Sequence, residues 1–166
     1  LLVDITNYIL LEQGQPLHAF DKDKLSTLIG RDVLLSDFSV RKAKNNESLL
    51  CLNGENYILN EKITVIACDN KPVAIAGVIG GFDTAVDDET SSIYLEGAVF
   101  NPVTIRKSSK EIGLRTESSS RFEKGISYKN TIDSVTRAIN IIEEYFNIPN
   151  TIINTSTELT NNEILI

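Results

Sequence analysis

At 166 residues the chain suits one domain, with room for two lobes, and its 42% hydrophobic and 23% charged composition is that of an ordinary globular protein with a proper core. No apolar run approaches the roughly 18 to 20 residues of a membrane span and no signal peptide opens the chain, so a soluble, cytoplasmic protein with no membrane partner is expected. A net charge of −7 argues against a domain that grips nucleic acid over its whole surface. Charge is uneven, however. Between Arg106 and Lys129 stand Arg106, Lys107, Lys110, Arg115, Arg121, Lys124 and Lys129 against Glu111, Glu117 and Glu123, and any nucleic acid is expected there. Cys51 and Cys68 have no C-x-x-C spacing, and with a single histidine they read as two buried thiols, with neither a disulfide framework nor a metal site. The chain contains no Met, so a piece of something longer is expected.

Leu1 to Gln13 is apolar at 2, 5 and 9 and at 1, 8 and 11, and Gly14 with Gln15-Pro16 supplies a stop, which predicts a helix buried on most sides. Thr6 and Asn7 interrupt its apolar character; they either satisfy neighbouring backbone or line a site. The only histidine, His18, follows in Leu17-His18-Ala19-Phe20-Asp21, where an imidazole among apolar residues reads first as a packing residue. Asp21 to Leu28 reads as a short helical connector.

From Arg31 to Glu96 short β-rich runs alternate with turn chemistry. Strands are expected at Val33–Phe38, Leu49–Leu52, Tyr57–Leu59, Ile63–Cys68, Val73–Ile79 and Ile93–Phe100. Asn53-Gly54 is a hairpin signal, since both residues tolerate positive φ, and Asp69-Asn70-Lys71-Pro72 is a further turn. Asp83 to Ser92 reads as a solvated acidic loop, because it lacks the alternating ligands and the glycine of a calcium loop. Ala74 to Gly81 is small and apolar, a buried strand ending in a Gly-Gly turn or the floor of a pocket. Its glycines fit no phosphate-loop spacing. Glu96, among apolar neighbours before Gly97, either lies on an exposed strand face or is a buried carboxyl in need of a donor.

Asn101-Pro102 opens a helix with a side-chain cap and proline in the first turn, and Gly113 ends it. Gly113 to Gly125 reads as a hydroxyl-rich loop. Thr131 to Phe146 is apolar at 132, 135, 139, 142 and 145 or 146, an amphipathic helix. After Pro149 an edge strand or tail is expected. The fold class is α+β.

Several stretches together resemble one family: Val3-Asp4-Ile5-Thr6-Asn7-Tyr8, Gly14-Gln15-Pro16-Leu17-His18-Ala19-Phe20-Asp21, Ala74 to Gly81, Leu95-Glu96, and Gly113-Leu114-Arg115-Thr116-Glu117 through Ser120-Arg121-Phe122-Glu123-Lys124-Gly125. In order, over positions 3 to 145, they are similar to the B3/B4 domain of the bacterial phenylalanine–tRNA ligase β subunit. The resemblance implies that residues 1–166 form a single editing domain of a longer β subunit. It implies a three-layer β/β/α sandwich of mostly antiparallel strands with an opening helix and a C-terminal amphipathic helix. It also implies hydrolysis of tyrosine wrongly attached to phenylalanine tRNA, with no cofactor here, ATP and Mg2+ serving the parent synthetase elsewhere. The implied partners are the tRNA(Phe) acceptor 3′ end, the tyrosine moiety, the α subunit and the other β-subunit domains.

By matching positions, the implied pocket falls on Thr6, Asn7, His18, Ala76, Gly77 and Glu96, with Ser118 where the family more often has Ala; the pattern also continues upstream of Leu1. Glu96 would accept a hydrogen bond from the tyrosine hydroxyl, and phenylalanine would leave it unpaired. His18 would orient or deprotonate water, with Thr6 and Asn7 holding it or the substrate amine. Ala76 and Gly77 would keep the floor low, so that Gly77→Trp is expected to block the pocket and spare the fold. The rival expectations are a module that only braces the synthetase, and a free-standing amino-acid-binding domain.

Overall fold

A computed structural model describes residues 1–147 and the backbone of residues 158–160 and 163–165. The opening helix α1 (Leu2–Gln13) ends where Gly14, at φ 74°, returns its N–H to the Leu10 carbonyl. Only Ile5 and Ile9 are buried on it. Val3, Tyr8 and Leu11 are 55%, 48% and 78% exposed, so the helix is covered on one side and not on most.

Strand β1 (Leu17–Asp21) runs into α2 (Lys22–Ile29), whose first turn is capped by Asp21 accepting from the Lys24 N–H at 2.9 Å. The next strand, β2, is Phe38–Lys42 and not Val33–Phe38. Asp37 Oδ2 accepts from the Leu34 N–H at 2.8 Å while Arg31 grips the same carboxylate at 2.7 Å. Those bonds wind 35–37 into a single 3-10 turn, and extended backbone begins only after it.

Strands β3 (Ser48–Leu50) and β4 (Asn56–Ile58) form a separate hairpin. Its tip has one positive-φ residue, Gly54, with the Gly54 N–H bonded to the Cys51 carbonyl, and Asn53 does not adopt the expected conformation. The two-residue positive-φ turn is instead Asp69-Asn70 (φ 47° and 63°), which joins β5 (Thr64–Cys68) to β6 (Lys71–Ile75). The expected single strand Val73–Ile79 breaks into β6 and β7 (Ile79–Gly80), which fold back on each other through Ala76-Gly77-Val78. Gly77 at φ 65° makes that reversal possible.

Strand β8 (Ile93–Val99) is followed by α3 (Pro102–Ile112), with Asn101 accepting from the Val103 and Thr104 N–H groups and Gly113 closing the helix. The stretch read as a loop holds a short helix, α4 (Glu117–Phe122). Thr116 caps it, and Ser119 returns its hydroxyl oxygen to the Thr116 N–H. Last come α5 (Tyr128–Phe146) and the strands β9 (Glu158–Thr160) and β10 (Glu163–Leu165), β9 lying at a sheet edge; the rest of the tail after Pro149 lies outside the described residues.

Two sheets, β1-β8-β10-β9 and β2-β5-β6-β7, are antiparallel throughout their described pairs. Alternation along β1 and β8 sorts the layers. Leu17 and Leu95 point to the outer layer, where α1 and α5 pack on the sheet through Ile5, Ile9 and Ala138. Gly97 lets α5 approach, since a Cβ there would stand 2.3 Å from Val135 Cγ2. On the opposite face, Phe20 and Ala98 join Val65, Ile66 and Ile75 in the main core between the sheets. The result is the β/β/α order expected. Both cysteines are buried and free in this core, and burial pushes each thiol up to about 11. Among the described residues no helix is long and apolar enough to cross a membrane.

Candidate functional site

A cavity of about 250 Å³ opens where the two sheets part, between α1, the β6–β7 turn and α4. At its floor His18 and Glu96 are directly opposite in the β1–β8 register. Opposed residues on antiparallel strands share a face with Cβ atoms about 4.5–5.5 Å apart, so both side chains enter the same space.

Neither side chain has a hydrogen-bond partner among the described residues, and the His18 Nε2 is sealed from solvent as well. The imidazole is edge-on to Phe20, with ring centroids 4.6 Å apart. Its other neighbour is Gly80, where a Cβ would lie 2.6 Å from Nε2. The packing reading of His18 is therefore half right: the ring is packed, and it is not satisfied. Burial lowers His18 to about 4 and raises Glu96 to about 8. At neutral pH the pair is an uncharged imidazole facing a predominantly protonated carboxyl. A protonated carboxyl donates as well as accepts.

Thr6, Asn7, Gly77 and Ser118 line the same cavity, so residues spread over more than a hundred positions converge there. Thr6 Oγ1 donates to the Val3 carbonyl at 2.9 Å, a local helix bond, whereas Asn7 is exposed and unbonded. Ser118 Oγ donates to the Gly77 carbonyl at 3.2 Å, and Thr116 Oγ1 to the Val78 carbonyl at 2.8 Å. These two bonds clamp α4 onto the β6–β7 turn and shape the cavity wall.

Ala76 is not brought to the cavity. It is fully buried in the core, and its N–H donates to the Thr64 carbonyl at 3.0 Å. Gly77 presents its backbone to the cavity, but a Cβ there would stand 2.8 Å from Ile105 Cδ1 and 3.0 Å from Phe100 and the cavity-lining Phe122, with no room for a side chain among these packed groups. A tryptophan at 77 would therefore break the core, and it cannot serve as a plug that spares the fold. The glycine whose smallness serves the site directly is Gly80, beside His18.

Sequence reasoning missed Leu10, Leu52, Ile66, Thr116 and Phe122 as lining residues. Thr116 and Phe122 lay within quoted motifs without being singled out. Leu52 arrives from the tip of the β3–β4 hairpin, a placement that no local pattern signals. Among the described residues no group of three or more His, Cys, Asp or Glu side chains could hold a metal ion.

Fold and site define an α+β domain with a facing acid–imidazole pair in a cavity of about 250 Å³. The chain belongs to the B3/4 domain family, whose model matches residues 1–147. It is 83% identical over 166 residues to the phenylalanine–tRNA ligase beta subunit of Prochlorococcus marinus subsp. pastoris (strain CCMP1986 / NIES-2087 / MED4), and 73% identical over 166 residues to that of Prochlorococcus marinus (strain MIT 9312). Against the beta subunit of Synechococcus sp. (strain CC9902) it is 46% identical over 145 residues, 87% of this chain. The chain spans only 20%, 20% and 18% of these relatives' lengths.

Proposed function

We propose that this domain is the editing site of a phenylalanine–tRNA ligase β subunit, hydrolysing tyrosine wrongly esterified to tRNA(Phe). The observation that carries this reading is the Glu96–His18 pair, opposed across two strands and without a hydrogen-bond partner among the described residues, in one shared cavity. Glu96 is half-buried, and a carboxyl drawn out of bulk water without a partner is costly. A phenolic hydroxyl reaching the floor would satisfy it, and a phenylalanine ring would not. A site built around a polar group rejects the analogue lacking its partner far better than an apolar pocket rejects an added hydroxyl.

With the ring held at Glu96, the acyl carbonyl lies nearer the mouth, where Thr6, Asn7 and the α4 wall stand. The oxygen of a water adds to that carbonyl carbon, the ester C–O bond breaks, and the terminal ribose hydroxyl leaves with a proton. The amino acid departs as its carboxylate, and the second proton of the water passes to solvent. An imidazole that protonates only near pH 4 is a weak base at neutral pH, so His18 is assigned to orienting water or substrate by hydrogen bonding. Asn7, exposed and unbonded, is free to hold the substrate amine or the water. The rest of the synthetase, with its α subunit, presents the tRNA 3′ end.

Single-turnover hydrolysis of Tyr-tRNA(Phe) by the whole synthetase tests the reading. His18→Ala is expected to slow it about 10- to 100-fold, the range of lost positioning, and an unchanged rate would remove His18 from the mechanism. If the intact enzyme binds free tyrosine in calorimetry yet hydrolyses no Tyr-tRNA(Phe), the domain is an amino-acid-binding module instead.

A further inference from the structure

The chain's six arginines divide sharply. Arg31 pairs with Asp37, Arg41 with Glu47, Arg115 with Glu123 and Arg137 with Glu12, while Arg106 donates to the Glu123 carbonyl. The Arg121 guanidinium alone has no hydrogen bond or ion pair to any described residue. It is also the one half-buried member of the basic set from Arg106 to Lys129, whose other six are exposed. A guanidinium offers five donors in a rigid fork. Holding one partly out of water without an acceptor is unfavourable unless something external supplies the acceptor.

Its position indicates what that is. Arg121 lies on α4 one turn beyond Glu117 and Ser118, both of which line the cavity. Residues three and four apart share a helix face, yet Arg121 forms no ion pair with Glu117. On its other side Nη1 lies 4.0 Å from where a Cβ on Gly14 would stand, beside the turn that leads into the cavity-lining Pro16 and Leu17. The guanidinium therefore stands next to the cavity, between its α4 wall and the α1–β1 turn, and pairs with no acid among the described residues.

We propose that Arg121 binds the 5′-phosphate of the terminal nucleotide whose ribose carries the amino-acid ester. This rests on the editing reading above. An amino-acid side chain at the cavity floor puts the ester near the mouth, the ribose outside it, and a phosphodiester one sugar further on. A planar fork suits that anion bidentately, and a lysine's point charge suits it less. Arg121 thus sets the register of the 3′ end, so that the ester rests over the cavity at a fixed depth.

The test uses the whole synthetase and two small substrates, the 3′-tyrosyl ester of adenosine and the same ester of adenosine 5′-monophosphate. Wild type is expected to show a kcat/KM about 10- to 100-fold higher for the phosphate-bearing ester, the range of one charge-assisted contact. In Arg121→Gln the two esters should be hydrolysed alike, and Arg121→Lys should restore part of the preference. On Tyr-tRNA(Phe), the dependence of log kcat/KM on log salt should lose about 0.7 of its slope in Arg121→Gln, one single-strand phosphate contact. Hydrolysis of both esters with no phosphate preference in wild type, or with the preference intact in Arg121→Gln, overturns the assignment and leaves the editing reading standing. If wild type hydrolyses neither ester nor Tyr-tRNA(Phe), the editing reading fails and this assignment with it.

Discussion

Replacing Glu96 by glutamine should change the shape of the pH–stability profile, because burial moves Glu96 and His18 in opposite directions. The unfolded chain titrates at the ordinary values of 4.5 for Glu96 and 6.5 for His18, the folded chain at about 8 and about 4. Between pH 4.5 and 6.5 the folded state holds a Glu96 proton that the unfolded state has released, and lacks a His18 proton that the unfolded state keeps. Those two differences cancel. From 6.5 to about 8 only the Glu96 proton distinguishes the states, the folded chain binds more protons, and stability falls as pH rises. At about 1.36 kcal/mol per unit, that window of about 1.5 units is worth at most about 2 kcal/mol, or about 4 to 8 °C in Tm for a chain of this size. In Glu96→Gln that slope disappears. The uncancelled His18 then makes the variant lose stability as pH falls from 6.5 toward 4, because a depressed histidine stabilises only above its unfolded pKa. Urea unfolding of both proteins across pH 4.5 to 8.5 reads the difference. Parallel profiles above pH 6.5 would refute the claim that Glu96 is desolvated.

Two further substitutions probe how the cavity is framed. Gly77→Ala should cost about 2 to 5 kcal/mol, combining about 1–2 for the left-handed backbone with about 1–3 for overpacking against Ile105, Phe100 and Phe122. Gly113→Ala, with similar φ and open space around it, should show only the first cost, and equal losses in thermal unfolding would refute the packing argument. Thr116→Ala removes both the α4 cap and the bond to the Val78 carbonyl. It should cost about 1 to 2 kcal/mol, with Thr116→Ser restoring most of it; an unchanged urea midpoint would show that the clamp contributes nothing.

Much of this was legible locally. Asn101, Pro102 and Gly113 bracket α3 by cap and stop chemistry, and the 3.6-residue stripe marks α5; the structure starts that helix three residues earlier, at Tyr128. What escaped depends on partners distant in sequence or on competing side chains. Asp37 turns the expected strand start into a 3-10 turn, and Gly77 splits one strand into two because Phe100, Ile105 and Phe122 pack against its open side. Helix α4 is six residues with one apolar side chain, Phe122, too short for periodicity to reveal. The facing of His18 and Glu96 is a matter of register between strands 78 positions apart, and a slip of one residue would send either side chain to the helical layer. The motif resemblance supplied both residues; only the sheet supplies their opposition.

The central claim is that Glu96 reads the hydroxyl that separates tyrosine from phenylalanine. The most direct measurement is the ratio of Tyr-tRNA(Phe) to Phe-tRNA(Phe) hydrolysis by the whole synthetase, wild type against Glu96→Ala. An unpaired buried carboxyl costs roughly 1–3 kcal/mol, so the ratio should fall about 5- to 150-fold in the variant. The same ratio in both enzymes would mean that the hydroxyl is read elsewhere.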